Sequence, residues 1–257
     1  MNQSRPGKLV HVEQVWDTAV SVHLHGPAER LEPARAAIVA LLHHVDDVFS
    51  TFRPDSVICR WHRQEIAPTA ELAEVLALAG TVSELTGGLF DLGWNGLPDP
   101  TGLVKGWAAD RAVELAFRHG IRDLQVNAGG DVRTAGSPGE GRPWRVGVSD
   151  PFDPRLLAAV VVGHDLCLAT SGVTQRGQHI VMQGDPVIVS ASVLGPDLAT
   201  ADGLATAAVA AGRSARELMT DLDARGWSSL LIDRDAATWR SARWSEQPTD
   251  PPPSTDR

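Results

Sequence analysis

The order of periodic segments along the chain constrains the fold more than any other feature. Apolar stripes with helical spacing dominate the first half, and short β-branched segments cluster after them. The predicted helices cover residues 33–49, 69–79, 105–119, 201–211 and 214–226. The predicted strands cover residues 12–25, 124–127, 144–148, 158–162, 186–193 and 230–232. Because strands and helices alternate only in part, the pattern predicts an α+β fold, with mixed sheets packed with helices, rather than a doubly wound parallel sheet.

The length of 257 residues and the hydrophobic content of 43% are enough for one large core. We predict a single domain over residues 1–245. The segment 246–257 is polar and proline-rich, so we predict a disordered C-terminal tail. No stretch approaches the roughly 20 apolar residues of a membrane span, and no apolar signal segment follows the first residues. We therefore expect a cytoplasmic protein without membrane insertion.

The charge balance excludes one class of partner. The formal net charge is -9, whereas nucleic-acid binding requires clustered Lys and Arg, so we expect no nucleic acid as partner. Cys59 and Cys167 lie far apart without metal-ligand spacing, and we expect both to be buried free thiols.

Residues 105–112 and 127–131 are the strongest local indication of function. Lys105 and Gly106 are predicted to open a helix, and Gly129, Gly130 and Asp131 form a predicted turn after the next strand. A helix start presents free N–H groups and a positive dipole end, and glycines let the backbone approach a ligand closely. Together these features indicate a site for the phosphates of a nucleotide.

Asp202 and Thr206 lie four residues apart on a predicted helix, so their oxygen atoms face the same side. A carboxylate and a hydroxyl in this arrangement suit a hard cation such as Mg²⁺. An alternative interpretation is purely structural: an Asp near the helix N-terminus is stabilised by the dipole, and a Thr bonds back to the preceding turn.

His179 and Phe52 are further candidate functional residues, and each also has a purely structural interpretation. His179 follows residues 169–172 in a predicted loop and is a candidate general base, although most histidines are ordinary surface or half-buried residues. Phe52 follows a helix in a hydroxyl-rich turn and is a candidate for stacking on an aromatic ring. A core aromatic at a helix end is the alternative.

Read in order, several segments resemble motifs of the ApbE family of FAD:protein FMN transferases. Residues 49–56 resemble its F-S-T-Y-x-x-x-S segment, and residues 86–91 resemble S-G-G-x-F-D. Residues 99–110 resemble D-L-x-x-x-x-K-G-Y-A-x-D. Further matching blocks are residues 126–133, 144–151, 169–172, 179–180 and 201–207. The resemblance spans roughly residues 12–235, and the order of so many blocks makes it specific.

The resemblance implies a Mg²⁺-dependent transferase that cleaves FAD, attaches FMN by a phosphoester bond to a threonine of an acceptor flavoprotein, and releases AMP. It implies Mg²⁺ as cofactor and FAD as substrate. By motif, the metal ligands are the carbonyl of Gly102 and the side chains of Asp202 and Thr206. The residues implied at the flavin nucleotide are Phe52, Asp99, Lys105, Asp110 and Ile180, with His179 at the transfer site.

Three segments depart from the family pattern. Residues 15–18 stand where the family has M-G-T, residues 181–186 replace D-P-x-T-G, and residues 91–99 are short. These departures lie at the implied transfer site and flavin pocket rather than on the predicted helix that carries Asp202 and Thr206. Two alternatives to the transferase therefore remain open: an FAD pyrophosphatase that yields FMN and AMP, and a non-catalytic flavin-binding paralogue.

Overall fold

The structure is a computed structural model that describes residues 6–93, 97–172, 187–246 and 249–250. The described part contains seven α-helices, which are α1 Ala28–Phe49, α2 Val57–His62, α3 Ala70–Leu85, α4 Thr101–Arg118, α5 Leu198–Ala210, α6 Ala215–Asp223 and α7 Ala242–Glu246. It also contains eleven strands, which are β1 Pro6–Val15, β2 Thr18–Pro27, β3 Asp123–Ala128, β4 Asp131–Ala135, β5 Trp144–Ser149, β6 Leu157–Gly163, β7 Cys167–Gly172, β8 Ile188–Leu194, β9 Ser228–Asp233, β10 Thr238–Arg240 and β11 Thr249–Asp250. None of the helices in these described ranges is long and apolar enough to cross a membrane.

The strands form two antiparallel sheets. Eight strands make a large sheet in the order β1-β2-β3-β4-β7-β8-β9-β10, and three make a small sheet in the order β11-β6-β5. Helices α1, α3, α4 and α5 contribute to the main core together with the large sheet, through fully buried residues such as Leu42, Val75 and Leu204. The predicted α+β class is confirmed.

A second, smaller core joins the two sheets. Val132, Leu168 and Ile232 of the large sheet pack with Val146 and Val161 of the small sheet, and all five are at most 3% exposed. The small sheet therefore covers the middle of the large sheet, close to the place where β4 meets β7.

Of two helix starts predicted from the sequence, one agrees with the structure and one does not. Thr69 caps α3 as its sequence predicts, because its hydroxyl accepts a hydrogen bond from the N–H of Leu72 at 3.3 Å. The prediction that Lys105 opens a helix is wrong: α4 begins at Thr101, directly after Pro100. Lys105 and Gly106 therefore lie more than one turn inside α4, and the free N–H groups of the helix start belong to other residues.

The prediction of one strand over residues 12–25 is also wrong. The segment is a hairpin of β1 and β2, in which Val15 pairs with Thr18. The turn residues Trp16 and Asp17 have φ values of 56° and 58°, in the left-handed region that Gly and Asn normally occupy in such turns. Because neither Gly nor Asn occurs at positions 16 and 17, the sequence lacks the usual signal for such a turn.

The segment 169–172, predicted as loop, belongs to β7, and β4 was not predicted as a strand. These two strands pair with each other, with Val132 opposite Leu168 and Arg133 opposite Cys167. β4 has five residues and β7 has six, and strands this short show little periodicity in the sequence.

The predicted tail is described only in part. Glu246 ends α7, and Thr249–Asp250 pairs with β6 as β11, while the rest of 247–257 lies outside the described residues. The single domain over 1–245 and the tail over 246–257 stay predictions. Both cysteines are free as expected, with Cys167 buried and Cys59 partly buried.

Candidate active site

The polar side chains of the site meet where α4 and α5 cross beside β4 and β7, the two central strands of the large sheet. Lys105 comes from the second turn of α4, and Asp202 comes from the second turn of α5. Asp131 is the first residue of β4, directly after the turn at Gly129 and Gly130. Helices and sheet thus bring together residues that are far apart in sequence.

Lys105 joins two buried carboxylates. Its Nζ lies 2.9 Å from Oδ2 and 3.1 Å from Oδ1 of Asp202, and it also forms an ion pair with Oδ2 of Asp131. Asp131 is 1% exposed and Asp202 is 2% exposed. We call Lys105, Asp131 and Asp202 the Lys105 triad. Charges so far from water persist only when they are paired and hydrogen-bonded, as here.

Backbone N–H groups complete the hydrogen bonding of both carboxylates. The N–H of Thr170 donates to Oδ1 of Asp131 at 3.0 Å, and the N–H of Gly106 donates to Oδ2 of Asp202 at 3.2 Å. Burial raises the pKa of the Asp202 carboxyl well above its usual range, and the charge of Asp131 raises it further, whereas Lys105 lowers it. Asp202 therefore lies in a position where added positive charge is favourable.

The three predicted metal ligands lie close together. Thr206 is one turn after Asp202 on α5, and its hydroxyl lies 3.1 Å from that of Ser171 on β7. Gly102 lies in the first turn of α4, and a Cβ built on it would lie 3.9 Å from Cγ2 of Thr206. A buried carboxylate, a hydroxyl and a nearby backbone carbonyl form an all-oxygen donor set, which fits a hard cation such as Mg²⁺.

This set relies on few charged ligands. Within the described ranges, no group of three or more His, Cys, Asp or Glu side chains is placed to hold a metal ion. Mg²⁺ commonly binds through one or two carboxylates and completes its shell with water and phosphate oxygens, so the donor set is compatible with a metal that is shared with a nucleotide.

Close packing fixes the crossing of α4 and α5. A Cβ on Gly106 would overlap the carbonyl oxygen of Leu198 and would lie 2.9 Å from Cα of Ala199. Asp110, one turn further along α4, accepts hydrogen bonds from the N–H groups of Leu198 and Ala199 at 2.8 and 3.1 Å. The carboxylate of Asp110 therefore binds the first turn of α5, and its predicted contact with the nucleotide stays a prediction.

Phe52 and Asp99 both precede the residues of this arrangement in sequence. Phe52 is 86% exposed, so the alternative of a core aromatic is wrong. Asp99 accepts a hydrogen bond from the N–H of Thr101 at 2.9 Å and thereby stabilises the start of α4. His179 and Ile180 lie in residues 173–186, outside the described residues, as does Asp185.

A small cleft of about 50 Å³ opens between the two sheets next to the triad. Thr170 lines it and is the residue whose N–H holds Asp131. The other lining residues are Gly130, Gly147, Val148, Ser149, Pro151, Gly172 and Ser190. Several glycines and hydroxyls leave room and hydrogen-bonding groups for a polar ligand.

Sequence reasoning gave no role to Asp131, Thr170 and Ser171, although it quoted the segments that contain them. One signal could have drawn attention to the triad. Lys8 and Lys105 are the two lysines among 23 basic residues. A lysine in a chain that otherwise uses arginine indicates that a compact ammonium is needed at that position.

Comparison with known proteins places the chain in one family. A model of the ApbE family matches residues 16–99 and 98–226. A protein of Vibrio cholerae named FAD:protein FMN transferase is 32% identical over 44% of this chain, and the match covers 38% of that protein, well under two thirds of its length. A Haemophilus influenzae protein of the same name is 22% identical over 78% of this chain and 77% of its own length.

Among solved structures, the flavin transferase ApbE from Vibrio cholerae superimposes with a TM-score of 0.81 at 21% identity, covering 95% of this chain and 100% of that one. This likeness shows the fold. The family model spans most of the sequence, including α4, α5, β4 and the three residues of the Lys105 triad. The chain therefore belongs to the ApbE family.

Proposed function

We propose that this chain is a Mg²⁺-dependent FAD:protein FMN transferase. In the proposed reaction, the hydroxyl oxygen of an acceptor threonine forms a bond to the FMN phosphorus. The pyrophosphate bond breaks, AMP leaves, and the hydroxyl proton passes to a base. The observation that carries the proposal is the set of Asp202, Thr206 and Gly102 beside the Lys105 triad at the crossing of α4 and α5.

The proposed metal ligands are Asp202, Thr206 and the carbonyl of Gly102. A bound Mg²⁺ would supply charge neutralisation at the pyrophosphate, which is the main requirement of phosphoryl transfer. Asp202 fits this role because its buried carboxylate favours added positive charge. Thr206 fits because its hydroxyl lies on the same face of α5, one turn away.

The remaining proposed roles concern FAD. Phe52 is exposed and would lie against the isoalloxazine. Asp99, just before α4, and Lys105, in its second turn, are assigned to the flavin nucleotide. Asp110 and Ile180 are also assigned to the nucleotide, by family resemblance. His179 is assigned to the transfer site, where it would accept the threonine proton as a general base.

Mass spectrometry tests the proposal directly. The protein is incubated with FAD, Mg²⁺ and a threonine-bearing acceptor domain from a flavoprotein, and the masses of the acceptor and of the released nucleotides are measured. An acceptor mass gain equal to FMN with equimolar AMP supports the transferase. AMP and FMN without an acceptor gain indicate the pyrophosphatase, and neither product indicates a flavin-binding paralogue. The Asp202→Asn variant is the control, and it should give no product.

A further inference from the structure

The Lys105 triad poses a problem for metal binding at Asp202. Both carboxylate oxygens of Asp202 lie within hydrogen-bond distance of the Lys105 ammonium, and Oδ2 also accepts the N–H of Gly106. A cation bound to either oxygen would lie next to that ammonium. Two positive charges so close together, and shielded from water, repel each other strongly. Asp202 therefore cannot bind a metal ion and keep its full ion pair with Lys105 at the same time.

Asp131 offers Lys105 an alternative position. Its Oδ2 already forms an ion pair with the ammonium, and its Oδ1 is held by the N–H of Thr170. Asp131 is thereby fixed to β7 independently of Asp202. A lysine has a flexible stem and a compact charged end, so a small rotation can shift the ammonium between neighbouring carboxylates.

The charges of the triad favour such a shift. Two carboxylates and one ammonium carry a formal net charge of -1 in a place with almost no exposure. Addition of a divalent cation changes this to +1, which the phosphates of a nucleotide would offset. Without the metal, the ammonium is the group that keeps Asp202 paired while it is buried.

We propose that Lys105 is a movable cation that pairs with Asp202 while no metal is bound and shifts wholly to Asp131 when Asp202 binds a divalent cation. In this arrangement Asp131 is a positioning residue, which acts on the metal through Lys105. The inference rests on the metal site of the proposed function, but it concerns the exchange of partners within the triad.

Calorimetric titration with Mn²⁺ tests the exchange in the full chain. We expect Lys105→Met to bind Mn²⁺ about tenfold more tightly than the unchanged protein, because no ammonium competes for Asp202. We expect Asp131→Asn to bind it about tenfold more weakly, because Lys105 then loses the carboxylate to which its ammonium would shift and competes more strongly for Asp202. Lys8→Met removes the other lysine, on exposed β1, and should leave the affinity unchanged. If Lys105→Met fails to fold, Lys105→Gln replaces it.

The double variant separates exchange from a simple effect of charge. If Asp131 acts through Lys105, then Asp131→Asn should change Mn²⁺ affinity little in the Lys105→Met background. An equal loss of affinity in both backgrounds overturns the exchange but leaves the metal site intact. Absence of Mn²⁺ binding in every variant overturns the metal site, and the exchange with it.

A crystal structure with Mn²⁺ gives the second readout. The expected result is Mn²⁺ on Asp202 with the Lys105 ammonium on Asp131 and beyond hydrogen-bond distance of Asp202. Mn²⁺ on Asp202 with Lys105 still bonded to both carboxylates contradicts the exchange.

Discussion

Asp110 on α4 and Arg133 on β4 form an ion pair, with Oδ1 of the carboxylate 3.1 Å from Nε of the guanidinium. The other carboxylate oxygen, Oδ2, accepts the N–H groups of Leu198 and Ala199 at the start of α5. One largely buried side chain thus connects α4, the large sheet and the helix that carries Asp202. The position of Asp202 depends on these connections as well as on its own contacts.

The protonation of Asp110 should make stability depend on pH. Burial raises the pKa of Asp110 to about 6, against about 3.9 for an unfolded Asp. The folded state therefore holds the proton more tightly, and the stabilising effect of protonation is complete below pH 4 and lost as the pH rises through 6. Relative to Asp110→Asn, which does not titrate there, the free energy of unfolding should fall by up to roughly 3 kcal/mol between pH 4 and 7.

Urea unfolding of both proteins at intervals of pH measures this difference. All other titrating groups are shared, so their effects cancel in the comparison. Parallel profiles for the two proteins would show that Asp110 has an ordinary pKa in the folded state.

Gly106→Ala should separate α4 from α5. The added methyl group overlaps the carbonyl of Leu198, which is backbone and cannot turn aside, so we expect a loss of about 1–3 kcal/mol in the free energy of unfolding. Gly80→Ala is the matched control, because a Cβ there meets nothing within 4 Å on α3. That variant should gain up to about 1 kcal/mol from helix propensity. Equal effects of the two changes in denaturant unfolding would contradict the close crossing.

Asp202→Asn and Thr206→Val should both remove the response to metal. Each variant keeps the shape of the side chain and deletes a metal-binding oxygen or its charge. Without metal, Thr206→Val should change the free energy of unfolding by no more than about 1 kcal/mol, whereas Asp202→Asn also weakens the buried ion pair with Lys105 and should cost about 3 kcal/mol. Mg²⁺-dependent product formation should fall steeply in both. Variants that keep the metal response and lose only stability would show that the pair is structural.

Phe52→Ala should weaken FAD binding without changing stability. The ring is 86% exposed, so its removal should alter the free energy of unfolding by less than about 0.5 kcal/mol. Loss of a stacked aromatic contact should raise the Kd for FAD about tenfold. Val10→Ala on β1, also exposed, is the control and should leave the Kd unchanged. Fluorescence titration with FAD measures both, and equal Kd values would place the flavin elsewhere.

Local patterns in the sequence predicted what depends on local physics. The apolar stripes gave the positions of the main helices, the Thr69 cap was correct, and the spacing of Asp202 and Thr206 placed both on one face of α5. The turn at Trp16 and Asp17 was not predicted, because its left-handed backbone is formed by residues other than Gly or Asn. The place of Lys105 in the second turn of α4 was not predicted, because Pro100 and Thr101 are weak markers of a helix start.

The triad itself depends on contacts that no local pattern encodes. Asp131 approaches Lys105 only because β4 starts beside α4, and Thr170 reaches Asp131 only because β7 pairs with β4. A single sequence contains the residue types for this cluster but not the pairing of distant strands that brings them together.

The junction of β4 and β7 also determines when during folding the site can form. The chain leaves the large sheet after β4, builds β5 and β6 of the small sheet, and returns at β7. Lys105 and Asp131 precede this excursion, whereas Thr170 and Asp202 follow it, with 97 positions between Lys105 and Asp202. Contacts this distant in sequence form slowly, because a long loop must close first. Neither half of a growing chain can therefore assemble the Lys105 triad with its backbone contacts, which forms only after β7 has paired with β4.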